Sequence, residues 1–197
     1  MVQQLRVDQN ARRPSRLSPV PDVSQNIASG ERHPFLQALE GSIRVFTSVH
    51  RSFFTNVMVQ ALHSADQGMT VLVAQFLKGG IDQGPGHMTH MGQNLDWLRC
   101  GYAGCIFETT EDADAQRAVG ELWSHVKSVV QSDQYGLVML DELSLAIEYG
   151  LIPEAEVLDL LKHRPTQMDI ILTGPKMPYS ILSMADQVTE FRREFLP

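Results

Sequence analysis

The chain has 197 residues, 43% of them hydrophobic, and a formal net charge of −7. That length and apolar content suffice for one α/β domain with a full core. The acidic balance argues against a general nucleic-acid binder, which carries a basic face. No apolar run approaches the roughly 20 residues that span a bilayer, and the N-terminus lacks the apolar core of a signal peptide. The expectation is a cytoplasmic protein, with neither nucleic acid nor membrane among its partners.

Residues 1–34 read as a mobile tail, and 35–197 as a single α/β domain. Pro14, Pro19 and Pro21 interrupt the tail and its apolar residues are isolated, so it buries too little surface to offset ordering entropy. Residues 1–33 carry five Arg against three acidic residues, a slightly basic extension on an acidic body. It is a candidate contact for a protein partner.

From Pro34 onward strand-like and helix-like patterns alternate. "SIRVFT" (42–47) predicts a short strand. The stretch beginning "RSFFTNVMVQALHSADQG" predicts a helix that stops at Gly68. "TVLVAQFL" (70–77) is a near-continuous apolar run, as in a parallel strand buried on both faces. Residues 78–107, rich in Gly, Met and His, predict a long irregular loop around one short strand near "LDWLRC".

"DADAQRAVGELWSHVKSVVQSD" has apolar residues at helical spacing from Ala118 to Val130. "YGLVMLDEL" (135–143) and "MDIILTG" (168–174) predict two further strands. "PEAEVLDLLKHRP" predicts the helix between them, with Pro153 at its start and acidic residues in its first turn. "MPYSILSMADQ" predicts a last short helix before "VTEFRR".

This alternation predicts a three-layer α/β fold, a mainly parallel sheet with helices on both faces. Ligands of such sheets bind at the carboxyl ends of the strands. "TSVHRS", "QFLKGG", "DEL" and "TGP" follow four of the predicted strands and are expected to converge on one edge.

Two residue groups invite a metal reading. Cys100 and Cys105 form a C-x4-C pair without a second pair or nearby His to complete a zinc site, so two reduced thiols are the simpler expectation. His87 and His90, with Met88 and Met91, could bind a soft metal, or form an adaptable loop that contacts a ligand or partner. No G-x-S-x-G elbow appears, so serine-hydrolase chemistry has no support.

The order "RVFTS", "VLVAQFLKGG", "LVMLDEL", "LIPEAEVLDLLKHRP", "DIILTGP" and "LSMADQVTEFR" resembles the ATP:corrinoid adenosyltransferases of cobalamin salvage. The resemblance covers about residues 42–193. It implies a P-loop, RecA-like fold that transfers the 5′-deoxyadenosyl group of ATP to Co(I) of a corrinoid, with release of tripolyphosphate. It implies Mg, ATP and a corrinoid as ligands, and a homodimer as the assembly. The positions it assigns to ligand binding are Thr47, Ser48, His50, Arg51, Ser52, Gln75, Lys78, Glu142 and Thr173, with Asp141 as the metal corner.

The departures are equally specific. Where the family has "G-N-G-K-G-K-T-T" directly after "V-F-T", this chain has Ser48 through Thr55. Its glycines become Ser48, His50 and Ser52, and its critical Lys and Thr become Phe53 and Phe54. Glycines let backbone N–H groups close around phosphate, the Lys neutralises charge, and the hydroxyl holds Mg²⁺. Phenylalanine does neither. The family's "G-F-T-W" has Gly101-Tyr102-Ala103-Gly104 in its neighbourhood, and its C-terminal extension is not found before Pro197.

Three sets of readings stay open at this level. Arg51 and His50 could bind an anion at a helix N-terminus, with Ser52 as a cap. Alternatively, Phe53 and Phe54 fill the pocket while Arg51 pairs with Asp141 or Glu142. Asp141 could hold metal, or cap the following helix. Lys78 could face phosphate, face a neighbouring subunit, or lie solvated at the surface. The expected function is an adenosyltransferase-like protein with lost or much reduced ATP turnover. The alternative is a non-catalytic binding or regulatory module that contacts a small anion, a nucleotide or a protein partner, the last through residues 79–94 or the tail.

Overall fold

In each central strand, alternate side chains feed two separate cores. Val45, Leu72, Ala74, Val138, Leu140, Ile170 and Leu172 belong to one, and Phe46, Val71, Val73, Leu137, Met139 and Ile171 to the other. Such strands are buried on both faces, the reason they read as unbroken apolar runs. The computed structural model describes residues 40–52 and 54–192. The expected tail lies outside the described residues.

The elements are β1 (Ile43–Ser48), α1 (Thr55–Asp66), β2 (Val71–Gln75), β3 (Thr89–Met91), β4 (Leu95–Arg99), α2 (Ala113–Gln131), β5 (Leu137–Asp141), α3 (Leu143–Glu148), α4 (Glu154–His163), β6 (Asp169–Thr173), α5 (Tyr179–Leu182) and β7 (Gln187–Phe191). The seven strands form one sheet in the order β3-β4-β2-β5-β6-β1-β7. All neighbours are parallel except β3 and β4. This is an α/β fold of P-loop, RecA-like character, as expected.

The order explains where the helices lie. The crossover β1-α1-β2 runs one way along the sheet, whereas β4-α2-β5, β5-α4-β6 and β6-α5-β7 run the other. Right-handed crossovers in opposite directions place their helices on opposite faces. Accordingly α1 packs through Val57, Met58 and Ala61 into one core. Residues of α2, α4 and α5, among them Leu122, Leu161 and Ile181, pack into the other.

Three details differ from the sequence expectation. Residues 78–107 are less irregular than their composition suggests. Thr89–Met91 pairs antiparallel with Leu95–Arg99 around a turn that contains Gly92 at φ +70°. The side chains of β3 are all exposed, so no hydrophobic alternation marks it. "VTEFRR" was expected only to follow the last helix, yet Gln187–Phe191 forms the edge strand β7 beside β1. Its largely solvent-facing pattern hides it from a hydrophobicity reading. The last helix is a single turn, Tyr179–Leu182, that starts after Pro178.

Candidate functional site

The carboxyl ends of β1, β2, β5 and β6 meet at one cluster, as the sheet predicts. Asp141 closes β5 and is buried. Its Oδ2 accepts from Gln75 Nε2 at 2.7 Å and from Lys78 Nζ at 2.8 Å. Its Oδ1 accepts from Thr173 Oγ1 at 2.7 Å. Gln75 is placed by register, because it pairs with Asp141 across β2 and β5. The Gln75 Oε1 accepts in turn from Trp97 Nε1 at 2.9 Å and Arg99 Nε at 3.2 Å.

Glu142 follows in a left-handed conformation, φ 60° and ψ 27°, unusual for a non-glycine residue. Its backbone N–H donates to Thr173 Oγ1 at 3.0 Å. Its carboxylate, only 3% exposed, is chelated by Arg51: Nε to Oε1 at 2.6 Å and Nη2 to Oε2 at 2.8 Å. Lys78 Nζ lies 3.7 Å from Oε2. The remaining Arg51 nitrogen, Nη1, donates to the Ile106 carbonyl at 2.8 Å, and the guanidinium sits 5.0 Å from the centre of the Phe107 ring. The hydrogen bond to Glu142 raises the Arg51 pKa above its ordinary value, against the opposing effect of burial.

Of the two readings of Arg51, the pairing with Glu142 is the one observed. Two carboxylates and two cations therefore compensate one another within the protein. Mg²⁺ does not fit Asp141 in this arrangement. Both carboxylate oxygens are engaged, and the Lys78 ammonium stands against one of them, where a second cation would be repelled.

Asp141 does not cap the next helix. The N-cap of α3 is Glu142, without a side-chain cap, while the Asp141 oxygens serve Gln75, Lys78 and Thr173. Ser52 is not a cap either. The N-cap of α1 is Phe54, and Ser52 Oγ lies 3.2 Å from Ser48 Oγ, which donates to the His50 carbonyl at 2.6 Å. His50 is exposed, and Thr47 is half-buried in β1 opposite Glu190.

Phe54 is 4% exposed and packs edge-on against Phe191 at 5.7 Å between ring centres. Phe46 stacks on the same ring at 6.2 Å. Phe53 lies outside the described residues. The segment after β1 is thus anchored by an aromatic cluster on one side and by the Arg51 fork on the other.

A fifth segment reaches the same edge, and the sequence reading missed it. After β4 the chain turns back along the end of β2. Gly79 N–H donates to the Gly104 carbonyl at 3.0 Å, Gly80 N–H to Tyr102 at 2.9 Å, and Ile106 N–H to Leu77 at 2.9 Å. A Cβ on Gly79 would lie 1.8 Å from the Tyr102 oxygen, so the "KGG" of "QFLKGG" is needed for this close approach. Tyr149 Oη donates to the Phe107 carbonyl at 2.7 Å. The available signal was that "LDWLRC" is itself a strand, so its carboxyl end belongs to the ligand edge like the others.

Among the described residues no group of three or more His, Cys, Asp or Glu could hold a metal ion. His90 Nδ1 instead meets Asp96 Oδ1 at 2.5 Å, and Tyr135 Oη donates to Asp96 Oδ2 at 2.5 Å. Cys100 is buried and Cys105 exposed, both free. Among the described residues no helix is long and apolar enough to cross a membrane.

Comparison with known proteins places this geometry in context. The profile of the family ATP:corrinoid adenosyltransferase BtuR/CobO/CobP matches residues 40–194. The corrinoid adenosyltransferase of Escherichia coli (strain K12) is 30% identical over 153 residues, 77% of this chain and 76% of that protein. Corrinoid adenosyltransferase CobA of Salmonella typhimurium is 29% identical over 157 residues, 79% of each chain. The Pseudomonas aeruginosa corrinoid adenosyltransferase is 28% identical over 136 residues, 62% of this chain and 61% of that protein.

Proposed function

The chain belongs to the ATP:corrinoid adenosyltransferase family, and from that premise we propose that it is a member whose phosphate loop and acidic corner close on each other. Transfer of the adenosyl group from ATP to a corrinoid by the family mechanism is then lost or much reduced. One observation carries this reading. Arg51, from the segment where the phosphate loop belongs, chelates Glu142 through both carboxylate oxygens. Lys78 meanwhile neutralises Asp141. The groups that would receive Mg²⁺ and triphosphate are thereby spent on each other.

Sequence chemistry supports the same conclusion. Ser48 to Thr55 supplies no glycine to let a backbone wrap phosphate, and it has Phe53 and Phe54 where the family's loop has the Lys that neutralises phosphate and the hydroxyl that holds Mg²⁺. The buried Phe54 ring brings no hydrogen-bond donor. Electrostatic stabilisation is most of what such sites contribute to catalysis. Its loss lowers turnover by orders of magnitude.

Calorimetric titration of Mg·ATP into the purified chain tests this directly. The expected result is no micromolar binding. Micromolar affinity that depends on Mg²⁺, or adenosylation of a reduced corrinoid at the rate of the Escherichia coli relative, overturns it.

A second reading is a binding or regulatory module on the inherited scaffold. Its support is the exposure of Val49, Ile81, Phe107 and Tyr179, which follow β1, β2, β4 and β6 and so all leave the sheet at its carboxyl edge. On this reading the edge, including part of 79–94, meets a protein partner or a second copy of the chain in the cytoplasm. Native mass spectrometry of the purified protein distinguishes a retained nucleotide or corrinoid from a homodimer or a bound partner.

A further inference from the structure

Arg51 joins two segments that are far apart in the chain, the end of β5 and residues 105–107. Its fork holds Glu142 at the end of β5. Its third nitrogen holds the Ile106 carbonyl at 2.8 Å, and its face lies 5.0 Å from the Phe107 ring centre. Residues 105–107 thus cross the carboxyl edge as a strap. The Ile106 side chain is buried under it while Phe107, 72% exposed, lies on top. Beside the strap is an open pocket of about 190 Å³ whose lining includes Tyr102, Cys105, Ile106, Phe107, Glu108 and Ala115.

We propose that Arg51 is a latch that keeps this strap closed, and that a ligand bearing an oxyanion opens it by drawing the guanidinium away from Glu142. A guanidinium fork binds phosphate or carboxylate in the same bidentate way as it binds Glu142. Glu142 is not left without a cation when Arg51 departs, because Lys78 Nζ is 3.7 Å away. The Ile106 carbonyl accepts from Arg51 Nη1, so with Arg51 drawn away the strap loses a charge-assisted hydrogen bond and its aromatic contact together. Tyr149, whose hydroxyl donates to the Phe107 carbonyl, remains as a weaker second tie.

The proposal deepens the reading of a site closed by its own ion pair. Its test needs no nucleotide turnover, so the two can fail separately. Amide hydrogen exchange on the full-length protein reads the strap through Ile106, Gly79 and Gly80, whose N–H groups bond across it. Arg51→Met is expected to speed exchange at these three amides by about tenfold or more, with the amides of β5 and β6 unchanged. Arg51→Lys is expected to give an intermediate rise, because an ammonium lacks the planar fork that places separate nitrogens on both Glu142 oxygens and on the Ile106 carbonyl. Tyr149→Phe gives a smaller rise at the same positions, and it carries the test should Arg51→Met fail to fold.

Inorganic pyrophosphate at millimolar concentration, with chelator to remove divalent cations, is expected to raise exchange at the same amides in the wild type and to add nothing in Arg51→Met. Unchanged exchange in both Arg51 variants overturns the latch. A uniform rise across the sheet does so too, because Arg51 would then hold the whole fold rather than the strap. No response of the wild type to pyrophosphate overturns the oxyanion trigger.

Discussion

The Thr173 hydroxyl donates to the Asp141 carboxylate at 2.7 Å and accepts the Glu142 backbone N–H at 3.0 Å. One buried oxygen therefore joins the ends of β5 and β6 and fixes the left-handed turn that aims Glu142 at Arg51. Thr173→Val keeps the shape but leaves a carboxylate oxygen and a backbone N–H without this partner. The expected loss is about 1–3 kcal/mol, read from urea unfolding. Thr173→Ser retains both bonds and is expected to stay within about 1 kcal/mol of wild type.

Phe54 is a structural residue where a phosphate loop would have a polar one. Phe54→Ala removes a buried ring from the cluster with Phe46 and Phe191 and is expected to cost about 3–5 kcal/mol. Phe54→Thr, which restores a hydroxyl, is expected to destabilise similarly and not to create Mg·ATP binding. Thermal unfolding and calorimetry on the same samples check both halves.

The two cysteines differ in reactivity. Burial pushes the Cys100 thiol up from its ordinary value, and Cys105 is exposed. Because the thiolate is the nucleophile, Ellman's reagent is expected to titrate one thiol per chain in the native protein and two in denaturant. Cys105→Ser should abolish the native reaction, and Cys100→Ser should leave it.

Lys127 and the Trp123 indole donate to Glu156, and these hydrogen bonds lower its carboxyl below the ordinary 4.5. A depressed folded value means that the stabilisation is complete above the unfolded value near 4.5 and disappears as pH falls through the lower folded value. The Lys127 and Glu156 side chains are 36% and 44% exposed, and solvent screening keeps the contribution of such a pair under about 1 kcal/mol. Wild type is expected to exceed Glu156→Gln in unfolding midpoint at pH 7, and the gap should close as the pH drops below that window.

The β3–β4 pairing and β7 were illegible for one physical reason. Both lie at sheet edges, where side chains face water and backbone hydrogen bonding alone makes the strand. Neither Thr89–Met91 nor Gln187–Phe191 has the buried face that period-2 reading depends on. The strap at Ile106 and Phe107 carries no signal of its own, because the residues between "LDWLRC" and α2 are rich in glycine and polar side chains and have no strand or helix period.

The amino-acid sequence by itself determined the alternation of buried strands and helices, the carboxyl-edge location of Arg51, Gln75, Lys78, Asp141, Glu142 and Thr173, and the absence of glycines and of a Lys-Thr pair after "VFT". These follow from local periodicity and residue chemistry. Only the tertiary structure decided that Arg51 turns to Glu142 rather than Asp141, that Asp141 serves Gln75, Lys78 and Thr173 rather than a helix end, and that Phe54 enters the core beside Phe191. Each of those choices depends on distances between residues far apart in the chain, set by strand order and by the left-handed turn at Glu142. Neither is written in the spacing of a single segment.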